Sequence, residues 1–148
     1  MSRVQLALNV GDLDAAVAFY RRLFNAEPAK LRPGYANFAI AEPPLKLVLI
    51  AGESAPGTLN HLGVEVSSPD EVVAHTRRLA AAGMATATEE SVDCCYARQD
   101  KVWVDDPDGA PWEIYTVLVD VEMPAGALRP ADASAADRGG SASSSGCC

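Results

Sequence analysis

Three side chains, widely separated in the chain, have the chemistry to hold a divalent ion together: Gln5, His61 and Glu113. A neutral imidazole, a carboxylate and an amide oxygen make a mixed nitrogen and oxygen set suited to Fe(II), Mn(II) or Zn(II). Three protein ligands leave coordination positions open, which catalysis requires and a structural site does not. A second reading of the same residues stays open, in which His61 is an interior histidine hydrogen-bonded to Glu113 and Gln5 is merely satisfied. A different chemistry comes from Cys94 and Cys95, an adjacent pair echoed at the end of the chain by Cys147 and Cys148. Adjacent cysteines bridge each other only with strain, so free thiols are expected. Such a pair is either two small buried hydrophobes or a soft dithiol for a thiophilic centre. Arg98 and Lys101, close in sequence, favour the thiolate.

The three candidate ligands share a place in an internal repeat. Val4 to Leu23 aligns with Asn60 to Leu79 without a gap, Val17-Ala18 matching Val73-Ala74 and Arg21-Arg22-Leu23 matching Arg77-Arg78-Leu79. Gln5 then falls on His61. Each copy opens with alternation, Val4, Leu6, Leu8 and Val10 against Gln5, Ala7 and Asn9, then Leu62, Val64 and Val66 against His61, Gly63 and Glu65. That is the period of a half-buried strand. Turn residues with an acid follow (GDLD and SSPDE), then apolar positions at helical spacing: Val17, Tyr20 and Phe24 in one copy, Val72, Val73 and Leu79 in the other. Further strands are expected at Tyr35 to Ile40, Leu45 to Ile50, Lys101 to Asp105 and Trp112 to Val117, with short ones near Pro28 to Leu31 and Ala85 to Val92. The fold class this predicts is α+β, two βαβββ modules (3–51 and 59–120) sharing a curved mixed sheet. Corresponding inward positions of the two modules then face one another across its concavity. Aligning PLKLVLI with PWEIYTV pairs Lys46 with Glu113, so the fourth position that symmetry offers holds an ammonium, which is no ligand.

Composition bounds the partners. With 12 basic and 20 acidic side chains the formal net charge is −8, which argues against nucleic acid or an anionic membrane surface. From Ala125 onward the chain is mostly Ala, Gly and Ser, and its two acids, Asp132 and Asp137, are balanced by Arg129 and Arg138. Residues 125–148 are therefore expected to be a disordered tail, and the excess acid belongs to a domain over residues 1–124. No apolar run is long enough for a membrane span and no leader pattern opens the chain, which predicts a cytoplasmic protein.

These motifs resemble a known superfamily. The repeated βαβββ unit, the turn DDPDG (Asp105 to Gly109) before WEIY, and a strand-borne glutamate four residues after that glycine are similar to the vicinal oxygen chelate superfamily of glyoxalases, bleomycin and fosfomycin resistance proteins and extradiol dioxygenases. The resemblance covers residues 3 to about 120. It implies that the first strands of both modules and the last strand supply metal ligands, which maps onto Gln5, His61 and Glu113. Many glyoxalases and the fosfomycin proteins carry His at the first position, where this chain has Gln.

The thiol pair narrows the resemblance. CCYA followed by QDKVWV, DPDG and PWEIY, with Gln5 and NHLG (Asn60 to Gly63), is similar to the organoarsenical carbon–arsenic lyases, which are related to cadmium-induced proteins. That implies an Fe(II)- and O2-dependent non-heme dioxygenase, with Mn, Co, Ni or Zn able to occupy the site in vitro. Its substrate would be a trivalent methyl or aryl organoarsenical, and its product inorganic arsenite. Gln5, His61 and Glu113 would be the metal-binding and catalytic residues and Cys94 and Cys95 would bind arsenic, on a mobile loop. Tyr96, Lys101 and Tyr115 would orient ligands, and Cys147 and Cys148 would be idle or would collect metalloid as an auxiliary site. Two rivals follow from the same residues: a resistance protein that sequesters metalloid, cadmium or a drug without chemistry, and a glyoxalase-like thiol transferase or isomerase. Whether the two modules close within one chain or exchange in a homodimer is not fixed by the sequence.

Overall fold

The structure, a computed structural model, describes residues 2–94 and 96–121. Cys95, Cys147, Cys148 and the expected tail over 125–148 lie outside the described residues. In chain order the elements are β1 (Arg3–Val10), α1 (Leu13–Phe24), β2 (Lys30–Arg32), β3 (Tyr35–Ile40), β4 (Leu45–Ala51), β5 (Leu59–Glu65), α2 (Pro69–Ala81), β6 (Ala87–Cys94), β7 (Ala97–Asp105) and β8 (Pro111–Asp120). The strands form one eight-stranded mixed sheet in the order β2-β3-β4-β1-β5-β8-β7-β6. Within each module the first and last strands run parallel, β1 with β4 and β5 with β8. The modules join where β1 pairs antiparallel with β5 in the same chain. Two βαβββ modules on a curled mixed sheet are the α+β architecture expected.

Local chemistry sets the helices. Asp12 caps α1 by accepting from the Ala15 amide, and Ser68 with Glu71 closes a full capping box at the start of α2. Each helix lies on the outer face of its own half-sheet. Val17 of α1 packs on Phe38, Leu47 and Leu49, and Val72 and Leu79 of α2 join Val66, Val102 and Ile114. Val73 is 45% exposed and lies off that stripe, because neighbouring helical positions point about 100° apart. With the helices on one side, period-2 alternation sends Gln5, Ala7 and Asn9 to the opposite, concave face, where all three are buried.

All three strands that end module two run beyond their expected limits, β8 reaching Asp120 rather than Val117. β7 starts at Ala97 rather than Lys101, and β6 continues to Cys94, which pairs with Ala97. Cys94 thus ends a strand at a tight reversal rather than riding on a loop, a correction that follows from cross-strand pairing outweighing the weak strand propensity of ARQD. Tyr96 adopts φ +64 in that reversal.

Candidate metal centre

The strand register brings the three candidate ligands together. Gln5 on β1 stands opposite Gly63 on β5, and Gly63 stands opposite Glu113 on β8. Gly63 thereby leaves a gap in the row that two long side chains fill from either side. A Cβ at Gly63 would lie 3.0 Å from Glu113 Cγ and 3.4 Å from Gln5 Cβ. Across the gap Gln5 Nε2 donates to Glu113 Oε1 at 2.7 Å. His61, two residues before Gly63 and on the same face, brings Nε2 to 3.1 Å from Gln5 Nε2 and 3.3 Å from Glu113 Oε1. All three side chains are buried.

Each member is held from behind. His61 Nδ1 lies 2.7 Å from Asn60 Oδ1, and Asn60 Nδ2 donates to Asn9 Oδ1 at 2.9 Å. An amide oxygen can only accept, so the His61 proton belongs on Nδ1 and Nε2 presents a lone pair. Trp103 meets the imidazole edge-on, with centroids 5.6 Å apart. The Tyr115 hydroxyl donates to Gln5 Oε1. Lys101, fully buried, donates from Nζ to Glu113 Oε2 at 2.8 Å. Burial by itself would raise the Glu113 pKa, but the Lys101 ammonium beside it acts in the opposite sense, and the carboxylate is held well below its usual range. Burial next to Glu113 pushes the Tyr115 phenol up, so it stays a donor.

The donor set fits a divalent ion. Two ligand atoms at right angles, each about 2.1 Å from one ion, stand about 3 Å apart, and the three atoms here are separated by 2.7 to 3.3 Å. Flipping the Gln5 amide end over end exchanges its nitrogen for its oxygen at the centre, and the Tyr115 oxygen can then accept from the amide. Lys101 occupies Oε2 of Glu113, which leaves Oε1 as the oxygen facing Gln5 and His61. Among the described residues no group of three His, Cys, Asp or Glu side chains gathers, so the amide is essential to this set. The His61–Glu113 contact of the second sequence reading is present as well, at the heart of the same cluster.

The fourth position needs correction. Lys46 pairs with Gln5 across β1 and β4, whereas Glu113 pairs with Gly63, whose counterpart in the first copy of the repeat is Ala7, and Ala7 pairs with Val48. The symmetry mate of Glu113 is therefore Val48. A slip of two residues keeps every side chain on its face, so alternation cannot detect it. The position carries no ligand under either alignment. Lys46 sits with Nζ 3.5 Å from Glu65 Oε1 and 5.0 Å from the Tyr115 ring centroid.

Lys101 and Tyr115 are at the cluster; Tyr96 is elsewhere. Its ring packs with Ala7, Tyr35, Val48 and Ile50, its hydroxyl donates to the Pro33 carbonyl at 3.4 Å, and its own carbonyl accepts from Lys30 Nζ at 2.9 Å. The β6–β7 reversal is thus clasped onto module one rather than free. Cys94, 1% exposed, stands opposite Ala97, four residues and about 13 Å of strand from Lys101. Its sulfur is in a disulfide, against the expectation of free thiols. Arg98 is paired with Asp93 rather than with a cysteine. Asn60, Asn9 and Gly63 complete the site, although sequence reasoning does not single them out as parts of it. The NHLG motif holds two of them, but their roles depend on register.

Residues 3–114 match the model of the Glyoxalase/Bleomycin resistance protein/Dioxygenase superfamily. The chain is 65% identical over 122 residues to the cadmium-induced protein CadI of Mycobacterium tuberculosis (strain ATCC 25618 / H37Rv), covering 82% of this chain and 80% of that one. It is 54% identical over 151 residues to a trivalent organoarsenical cleaving enzyme of Thermomonospora curvata, covering both chains in full. Among solved structures, the Mn(II)-bound glyoxalase of Novosphingobium aromaticivorans superposes with a TM-score of 0.59 at 22% identity, over 88% of this chain and 44% of that one. Paired βαβββ modules, candidate ligand positions on their inner strands and the match to the family model together place this chain in the glyoxalase/bleomycin resistance protein/dioxygenase superfamily.

Proposed function

We propose that this enzyme cleaves the carbon–arsenic bond of trivalent organoarsenicals, methyl or aryl, with Fe(II) at Gln5, His61 and Glu113 and O2 as cosubstrate, releasing inorganic arsenite. The observation that carries the reading is the convergence of three donor groups within 2.7 to 3.3 Å, with the His61 tautomer fixed so that Nε2 is bare. Full-length identity of 54% to a protein named for that cleavage supports it.

An Fe(II) ion held there would supply a Lewis acid and electrons for O2 chemistry. The chain's own residues do the rest. Asn60 fixes the imidazole, Lys101 keeps Glu113 ionised and holds one of its oxygens so that the other would face the ion, and Tyr115 orients the amide. Cys94 and Cys95 exchange two arsenic–oxygen bonds of R-As(OH)2 for two arsenic–sulfur bonds, releasing two waters and keeping the carbon substituent. The disulfide at Cys94 must first be reduced by an external thiol, which supplies two electrons and two protons and leaves as its own disulfide. Capture turns a scarce ligand into one tethered to the chain at raised effective concentration.

Cys94→Ser separates the two halves of the reading. Its expected outcome is loss of methylarsenite binding with iron content unchanged; equal loss of iron would show that the thiols ligate the metal. His61→Ala is expected to lose iron and arsenite release while reduced protein still captures methylarsenite. Stoichiometric arsenical binding with no arsenite release by the wild-type Fe(II) protein in air would favour sequestration and overturn the catalytic reading.

A further inference from the structure

Gln5 uses both polar atoms of its amide. Nε2 stands 2.7 Å from Glu113 Oε1 and 3.1 Å from His61 Nε2, and on the far side the Tyr115 hydroxyl donates to Oε1. An ionised carboxylate only accepts, and His61 Nε2 is bare because the ring proton sits on Nδ1 against Asn60 Oδ1. Two acceptors therefore converge on the centre, and the amide NH2, with two hydrogens, satisfies both of them.

The same contacts make the opposite orientation depend on a cation. Turned over, the amide would set its oxygen at those distances from a carboxylate oxygen and a nitrogen lone pair, two repulsive contacts that burial leaves poorly screened. A divalent ion among the three reverses the preference, since it draws each lone pair to itself. Tyr115 suits both orientations: a phenol hydroxyl donates to the amide oxygen in one and accepts from the amide nitrogen in the other. A histidine at position 5 would lack this choice, because one ring nitrogen presents a single hydrogen or a single lone pair.

We propose that Gln5 is a two-position element, its NH2 bridging Glu113 and His61 when no cation is bound and its oxygen facing the ion once one is. The Tyr115 hydroxyl changes from donor to acceptor as the amide turns, which makes Tyr115 the positioning residue of the exchange. The ligand atoms thereby stand at ion-binding spacing before an ion arrives, and loading requires the turn of one amide rather than the assembly of a site. The proposal rests on the reading of Gln5, His61 and Glu113 as a metal centre and adds to it how that centre is held and loaded.

The test is nuclear magnetic resonance on the full chain labelled with 13C and 15N at glutamine only. The sequence has two glutamines, Gln5 and Gln99, so Gln99→Met or Gln5→Met assigns both side-chain amides. The protein is kept unreduced with its Cys94 disulfide intact, and any remaining thiol is alkylated, so that no sulfur competes for the ion. Diamagnetic Zn(II) is then titrated to one equivalent. Before addition the Gln5 amide protons are expected downfield of those of a solvated amide, because one of them bonds a carboxylate. On binding they move upfield and the Gln5 Cδ resonance shifts as the oxygen meets the ion, while Gln99 stays in place. In Zn(II)-bound Tyr115→Phe the Gln5 amide protons are expected further upfield than in the native chain, since Nε2 has lost its acceptor. The native titration does not depend on that variant folding. Zn(II) bound at one equivalent with the Gln5 resonances unmoved overturns the proposal and leaves a metal centre built on His61 and Glu113. Gln5 resonances that move with Zn(II) but are the same in Tyr115→Phe overturn the role given to Tyr115. No Zn(II) binding at all overturns the metal-centre reading and the proposal with it.

Discussion

Val48 and Glu113 occupy matching places in two copies of one backbone, and the difference between them separates what the two modules do. Around Val48 the concave face of module one holds Ala7, Tyr35 and Ile50 packed under the Tyr96 ring, with Asn37 opposite it on β3 donating to the Tyr35 hydroxyl. Around Glu113 module two gathers a histidine, a lysine and the edge of a tryptophan. Module one contributes a single ligand candidate, Gln5, and the Asn9 acceptor behind Asn60, and its apolar side chains form the surface on which Tyr96 rests. A duplicated fold needs only one arm to be chemically active once the other closes the cup. A wall freed from ligand duty can instead be shaped toward the substrate.

The comparison can be broken most severely at Glu113. Glu113→Ala leaves the Lys101 ammonium buried without its partner, so it is expected to cost about 3–5 kcal/mol of stability and to abolish metal binding, read by thermal denaturation and metal content. Gly63→Ala tests whether the gap between Gln5 and Glu113 is needed. Its Cβ would press on Glu113 Cγ at 3.0 Å and on the Glu113 carbonyl oxygen at 3.2 Å, with an expected loss of about 1–3 kcal/mol and weaker metal binding in titration. Asn60→Ala removes the orienting acceptor behind His61 together with the donor to Asn9 Oδ1, and metal affinity is expected to fall about 10- to 100-fold with little change in fold. Val48→Ala sharpens the contrast from the other module: it is expected to cost about 2 kcal/mol of packing while the metal dissociation constant stays at its wild-type value.

Much of this is legible in the sequence because two signals agree. The internal repeat and the period-2 alternation both put Gln5 and His61 on one face, and the turn before Trp112 gives the phase of the last strand. What is not legible depends on register. Pairing Lys46 with Glu113 preserves the alternation and still misses by two residues, because only backbone pairing distinguishes Val48 from Lys46. Gly63 reads as an ordinary strand glycine until its two neighbours in the row are known. Lys101 has the right parity, but its bond to Glu113 depends on the β7–β8 register, in which Lys101 pairs with Tyr115 and Trp103 with Glu113. Cys94 reads as a loop residue because ARQD, the start of β7, is polar and has weak strand propensity. Its disulfide reflects oxidation state, which residue order does not encode.

The central claim is tested most directly by following O2 consumption and arsenite formation together, using anaerobically Fe(II)-loaded protein with a reduced Cys94 pair and adding methylarsenite and air-saturated buffer. The account predicts arsenite and O2 uptake in step, with neither from the Zn(II)-loaded protein or from His61→Ala. Methylarsenite bound one to one, with no O2 consumed and no arsenite formed by the Fe(II) protein, would contradict it.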